Sequence, residues 1–179
     1  LAIVGAGHLV GMVPVFDKPP GQTRMNELIL KPPPSRIGYF IGWGICIFIL
    51  GMFYVGYQQS PELGWRLVVT WVLINGGLSA LGAALALAHP VSILAAFLAA
   101  PLTSLNPTIG AGMVVGLVES YLRKPKVTDF ERLRDDIASF PMWWKNGVVR
   151  VLLIFFFANV GSAVGTYVAG ASIIQQILG

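Results

Sequence analysis

Of the 179 residues, 55 % are hydrophobic and only 11 % charged, with a net charge of +4. Ordinary soluble domains carry about 25 % charge, so this chain has too few charges to cover a water-facing surface, and its mean hydropathy of +0.73 points the same way. One cysteine, Cys46, excludes an intrachain disulfide and a cysteine-based metal site; inside its apolar segment it reads as a small packing residue.

Residues 1–13, LAIVGAGHLVGMV, read as a buried strand followed by a glycine-rich turn around His8. Leu1 in place of Met, with no secretory pattern ahead, makes the chain read as the C-terminal part of a longer protein. Taken alone, His8 is a turn histidine satisfied by backbone, since a metal site needs two or three further donors and the local sequence has none. GAGHLVG also lacks the G-x-G-x-x-G spacing of a dinucleotide fingerprint. Residues 14–36 hold six prolines among mixed charges and read as a semi-rigid linker, with a short helix predicted around residues 23–30.

Residues 37–57 are apolar and uncharged over a length that crosses a ~30 Å hydrocarbon core as a helix. A second span is predicted over residues 65–88, antiparallel to the first across a short turn at residues 58–64. Residues 90–122 are apolar but interrupted by LTSLNPT, with Pro101 and Pro107 on either side of Thr103, Ser104 and Asn106. Proline breaks a helix interior, which leaves two pieces, residues 90–100 and 107–122. They form either a re-entrant hairpin, the favoured form, or two short tilted crossings. Irregular backbone at such depth must be buried in protein or line a wet cavity.

Residues 123–146 are charged and predict a cytoplasmic amphipathic helix, begun by the Thr128/Glu131 capping-box spacing and stopped by Pro141. Phe130, Leu133 and Ile137 form its apolar face, and Met142, Trp143 and Trp144 an interfacial aromatic belt. A last span, residues 147–174, is long enough to tilt or to project. The fold expected is thus an all-α polytopic membrane protein: three long transmembrane helices, a proline-interrupted helical hairpin and one amphipathic helix. Eleven of the twelve basic residues fall on one face, with Arg66 alone opposite. The positive-inside rule makes that face cytoplasmic and puts the C-terminus outside.

His89 caps the broken segment or opens a polar path into the membrane. Asn75, Ser79, Asn106, Thr108, Asn159, Ser162 and Thr166 are polar at membrane depth, where such groups commonly hold helices together. Glu119, the only acid in an apolar segment, either reaches headgroup water beside Arg123 or is a buried functional carboxylate. His89, Asn106 and Glu119 are therefore the candidate binding residues. Gly38/Gly42, Gly112/Gly116 and Gly161/Gly165 each place two glycines on one helix face and predict close packing, within the chain or in a homo-oligomer.

The stretch AHPVSILAAFLAAPLTSLNPTIGAGMVVGLVESYLRKPKVTDFE, together with GAGHLVGM, resembles the C-terminal half of prokaryotic TraB/PrgY proteins of the TraB/TIKI superfamily, named for pheromone shutdown. The resemblance implies a soluble TraB domain, here reduced to residues 1–13, followed by a membrane domain over residues 37–179. It implies two G-x-x-H motifs, of which only Gly5–His8 is present, as the second. His8 then becomes a catalytic or metal-binding residue of the complete protein, which would use a divalent metal and act on a signalling peptide. No cofactor is expected in this chain itself, and no nucleic-acid partner. A membrane anchor at the cytoplasmic membrane is the favoured function, and a transporter or channel-like module around the broken hairpin is the alternative.

Overall fold

A computed structural model describes residues 37–106 and 108–179. The readings of residues 1–13 and 14–36, with His8, and of Pro107 lie outside the described residues. All regular structure among the described residues is helical.

The first apolar stretch forms α1 (Ile37–Gln59). Ser60 alone separates it from α2 (Pro61–Leu85). The Ser60 hydroxyl accepts the Leu63 N–H at 3.1 Å, and Pro61 takes the first helical position, where a missing N–H is no loss. Cap chemistry rather than hydropathy therefore sets this start, four residues ahead of the expected Trp65. The end also comes early. Leu87 adopts φ 57°, with its N–H on Ala84 O and the Ala88 N–H on Ala83 O. These bonds close the helix in a Schellman turn with leucine where glycine is usual.

The interrupted segment forms α3 (Pro90–Thr103) and α4 (Ala111–Leu122). Pro101 does not end α3 but sits in its last turn. Its missing N–H frees the Phe97 carbonyl, and Gly76 of α2 lies so close that a Cβ there would stand 2.5 Å from that oxygen. The second piece begins at Ala111, later than expected, with Gly110 as its N-cap. Trp71 donates its indole N–H to Pro101 O at 3.1 Å, and Ser104 then meets Asn75 and Ser162. Asn75 is the fifteenth of 25 residues in α2, and Ser162 the sixteenth of 32 in the last helix. The hairpin therefore enters to half the length of its neighbours. Its two free ends are joined again at one end, where the His89 N–H donates to Glu119 Oε2 at 2.9 Å.

The charged segment departs from the single helix expected. It forms α5 (Val127–Glu131), α6 (Leu133–Ile137) and a 3₁₀ turn, Phe140–Met142. Lys126, not Thr128, is the N-cap of α5, and the Asp129 carboxylate accepts the Lys126 N–H at 2.7 Å, so the Thr128/Glu131 spacing is not the cap used. The expected apolar face does not form a core contact: Phe130 and Ile137 are exposed. Instead the segment is tied by Asn146, which donates to Asp129 O and to Asp136 Oδ2, both at 2.8 Å, while its Oδ1 caps α7 (Gly147–Leu178).

The long helices α2 and α7 run antiparallel and hold the bundle together. Gly82 lies against the Phe157 carbonyl, Gly161 against Leu78 O, and Gly165 against the Asn75 backbone, so the two axes approach closely. Gly112 brings α4 equally close to Phe155 and Asn159, and Gly116 sits in looser contact with Phe155. Gly38 meets nothing within 4 Å. Packing falls into two apolar layers. One holds Ile49, Met52, Leu67, Trp71, Ala169 and Ile173 from α1, α2 and α7. The other holds Ala83, Ala86, Ala88 and Ala96 with Val115, Ile154 and Ala158.

The glycine seam gives a direct test. Gly161→Val drives a branched side chain into the Leu78 carbonyl, an overpacking that costs about 1–3 kcal/mol. Gly77→Ala, at a position with open space, is expected to leave thermal unfolding in detergent unchanged or slightly raised. Equal melting of the two variants would remove the seam from its central place.

Candidate functional site

Between the two apolar layers lies a polar one, built where the tip of the α3–α4 hairpin meets α2 and α7. Its centre is Asn75, fully buried. Its Nδ2 donates to Thr166 Oγ1 at 2.9 Å and to Ser162 O at 3.3 Å. Its Oδ1 lies 3.2 Å from both the Ser104 and the Ser162 hydroxyls, which are 2.8 Å from each other. Both N–H groups of this amide are thereby used, and its oxygen faces two hydroxyls, of which Ser104 also reaches Ala100 O at 2.7 Å. One turn away, Ser79 donates to Ala158 O at 3.0 Å.

A cavity of about 280 Å³ opens beside this layer. Thr103, Ser104, Asn106, Asn159, Ser162 and Thr166 give it a polar wall, and Gly42 and Cys46 bring α1 across it. The Cys46 thiol donates to Ser104 O at 3.7 Å, which ties α1 to the hairpin tip. Two amides are held in fixed orientation by backbone donors. Asn159 Oδ1 accepts the Gly112 N–H at 2.9 Å, and Asn106 Oδ1 accepts the Thr108 N–H at 3.0 Å. Among the described residues no charged side chain and no histidine lines this space.

The candidate residues do not converge on one site. Asn106 is at the tip, whereas His89 and Glu119 are at the base, the length of α3 away. His89 is the N-cap of α3, its Nδ1 accepting the Val91 N–H at 3.2 Å. Glu119 is fully buried, receives the His89 N–H, and pairs with Arg123, whose guanidinium also donates to Leu87 O at 2.8 Å. The Ser92 hydroxyl lies beside this carboxylate, buried and without a bond of good geometry. The base is thus a clamp: it closes the hairpin and receives the end of α2. Among the described residues no group of three His, Cys, Asp or Glu stands together to hold a metal ion.

Residues 37–178 match the C-terminal domain of TraB family proteins. The chain belongs to the TraB family. It is also similar to an uncharacterized protein of Methanocaldococcus jannaschii, 33 % identical over 176 residues that cover 93 % of this chain and 44 % of the relative. The chain thus spans less than half the length of that relative. No solved structure matches it.

Within this TraB domain, sequence reading missed three contributors. Ser92 was hidden in an alanine-rich run, although Ser92, Ala96 and Ala100 repeat at four-residue spacing as one buried stripe. The Asn146–Asp136 bond and the Arg123–Leu87 bond join segments whose proximity no local pattern encodes.

The clamp is tested by paired substitutions. Glu119→Gln keeps an acceptor for the His89 N–H and loses only the ion pair. Glu119→Ala loses both and leaves a buried donor, a cost of about 1–3 kcal/mol. Thermal unfolding in detergent is expected to rank wild type above Glu119→Gln, and Glu119→Ala lowest.

Proposed function

We propose that this chain is the membrane domain that anchors a TraB-family protein in the cytoplasmic membrane. The observation that carries this reading is the inverted distribution of polarity. Ile41, Phe48, Leu73, Leu98, Leu117 and Phe156 all face outward with more than half their surface exposed, while Asn75, Ser79, Ser92 and Glu119 are fully buried. In water such a surface would aggregate; in hydrocarbon it is the stable arrangement. Helices α1, α2 and α7 are each long and apolar enough to cross a bilayer.

Arg123, Lys124, Lys126, Arg132, Arg134 and Lys145 gather at the end that carries the hairpin base, and Arg66 sits near the opposite end, at the start of α2. The positive-inside rule makes the basic end cytoplasmic. Trp143 and Trp144 pack around Phe140 at that end, and Trp144 donates to Leu85 O, as suits an interfacial belt. The α3–α4 hairpin is then re-entrant from the cytoplasmic face. In the complete protein the TraB domain, with His8, would capture or inactivate a signalling peptide, and the spans would hold it at the membrane. The polar cavity favours a second reading, a transporter-like module, but among the described residues its wall has no carboxylate, histidine, lysine or arginine to couple to an ion gradient.

Two experiments test this. The protein is expected to stay in the pellet after alkaline carbonate extraction, and alkaline phosphatase fused after Gly179 to be active while a fusion at Lys126 is not. Active phosphatase at both positions, or release by carbonate, would end the anchor reading. For the soluble part, His8→Ala in the full-length protein is expected to lower bound divalent metal and peptide hydrolysis together. Unchanged metal content and hydrolysis would remove His8 from that role.

A further inference from the structure

The amides of Asn106 and Asn159 are half-used. In each, a backbone N–H occupies the carbonyl oxygen, which settles which end of the amide is which. Each Nδ2 is left with two N–H groups and no protein acceptor among the described residues, and both residues line the same cavity. The neighbouring Asn75 shows the contrast, for both its N–H groups are used by Ser162 and Thr166. The spare donors therefore belong to the cavity and not to the packing.

The wall also says what such donors would hold. Among the described residues it presents hydroxyls, amides and the Cys46 thiol, and no Asp, Glu, Lys, Arg or His. An ion placed at this depth without a counter-charge loses far more hydration than hydrogen bonds to neutral groups return. An uncharged molecule with an acceptor oxygen suffers no such loss. About 280 Å³ holds a solute of several heavy atoms with some water, given about 30 Å³ per water molecule.

We propose that the hairpin tip is a binding site for a small uncharged solute bearing a carbonyl or amide oxygen, held by the side-chain N–H groups of Asn106 and Asn159. The inference goes beyond anchoring and relies on the membrane reading only for the depth of the cavity. Release by carbonate would remove that reading, whereas the experiment here addresses the site alone.

Acetamide is the probe, and acetate its charged counterpart of nearly the same shape. Binding is followed by saturation-transfer NMR on the full-length protein in detergent micelles. The expected result is a saturable acetamide signal and none for acetate. Asn106→Asp and Asn159→Asp keep the oxygen that receives the Thr108 or Gly112 N–H but lack the N–H donors. Each is expected to weaken acetamide binding about tenfold, the worth of one ordinary hydrogen bond. An acetate signal equal to that of acetamide, an undiminished acetamide signal in both folded variants, or no acetamide signal in the wild type would overturn the proposal. If a variant fails to fold by circular dichroism, the acetamide–acetate comparison on the wild type decides by itself.

Discussion

One side chain, Asn75, holds three helices in register at the middle of the bundle. A primary amide buried without partners is costly in an apolar interior, so each of its donors and lone pairs must find a match. Ser104 from the hairpin tip and Ser162 and Thr166 from α7 supply them. The consequence is geometric. The hairpin stops at the depth where Ser104 reaches Asn75, and α7 is fixed against α2 at the same level. The apolar layers above and below have no comparable directional constraint, since dispersion contacts tolerate sliding that hydrogen bonds do not.

The clamp at the base completes this arrangement. Glu119 lies at the N-terminus of α3 and accepts a backbone N–H there, an arrangement that a helix dipole favours. Arg123, one turn on at the C-cap of α4, neutralises it and also takes up a carbonyl left by the end of α2. Tip and base therefore fasten a hairpin whose two helices are each too short to cross a bilayer by themselves. Between them the small residues of α3, α4 and α7 permit the close approach that such short helices need to gain contact area.

This arrangement also explains why a TraB-family domain with so few charges carries so many uncharged polar residues. Most of them close a packing bond: Ser79 to Ala158, Thr166 to Ser162, Trp71 to Pro101. Among the described residues of the cavity wall, Asn106 and Asn159 differ in having amide donors to spare.

From sequence alone the three long apolar helices and the interruption near LTSLNPT could be read. Both depend on composition or spacing within a single segment: uncharged runs of span length, and prolines inside such a run. Helix ends were read less well, because the Ser60 cap and the Leu87 turn are local hydrogen-bond choices that hydropathy does not register. The reading of one amphipathic helix begun at the Thr128/Glu131 capping box and stopped by Pro141 did not describe the chain, as Asn146 and Asp136 organise that segment through a contact periodicity cannot see. Only the tertiary structure decided that the hairpin turns back at half depth, that Glu119 is a buried clamp, and that two of the asparagines face a cavity while a third is consumed. The pairings that fix the hairpin and Asn75 join residues 29 to 91 positions apart, and such pairings exist only once the helices have packed.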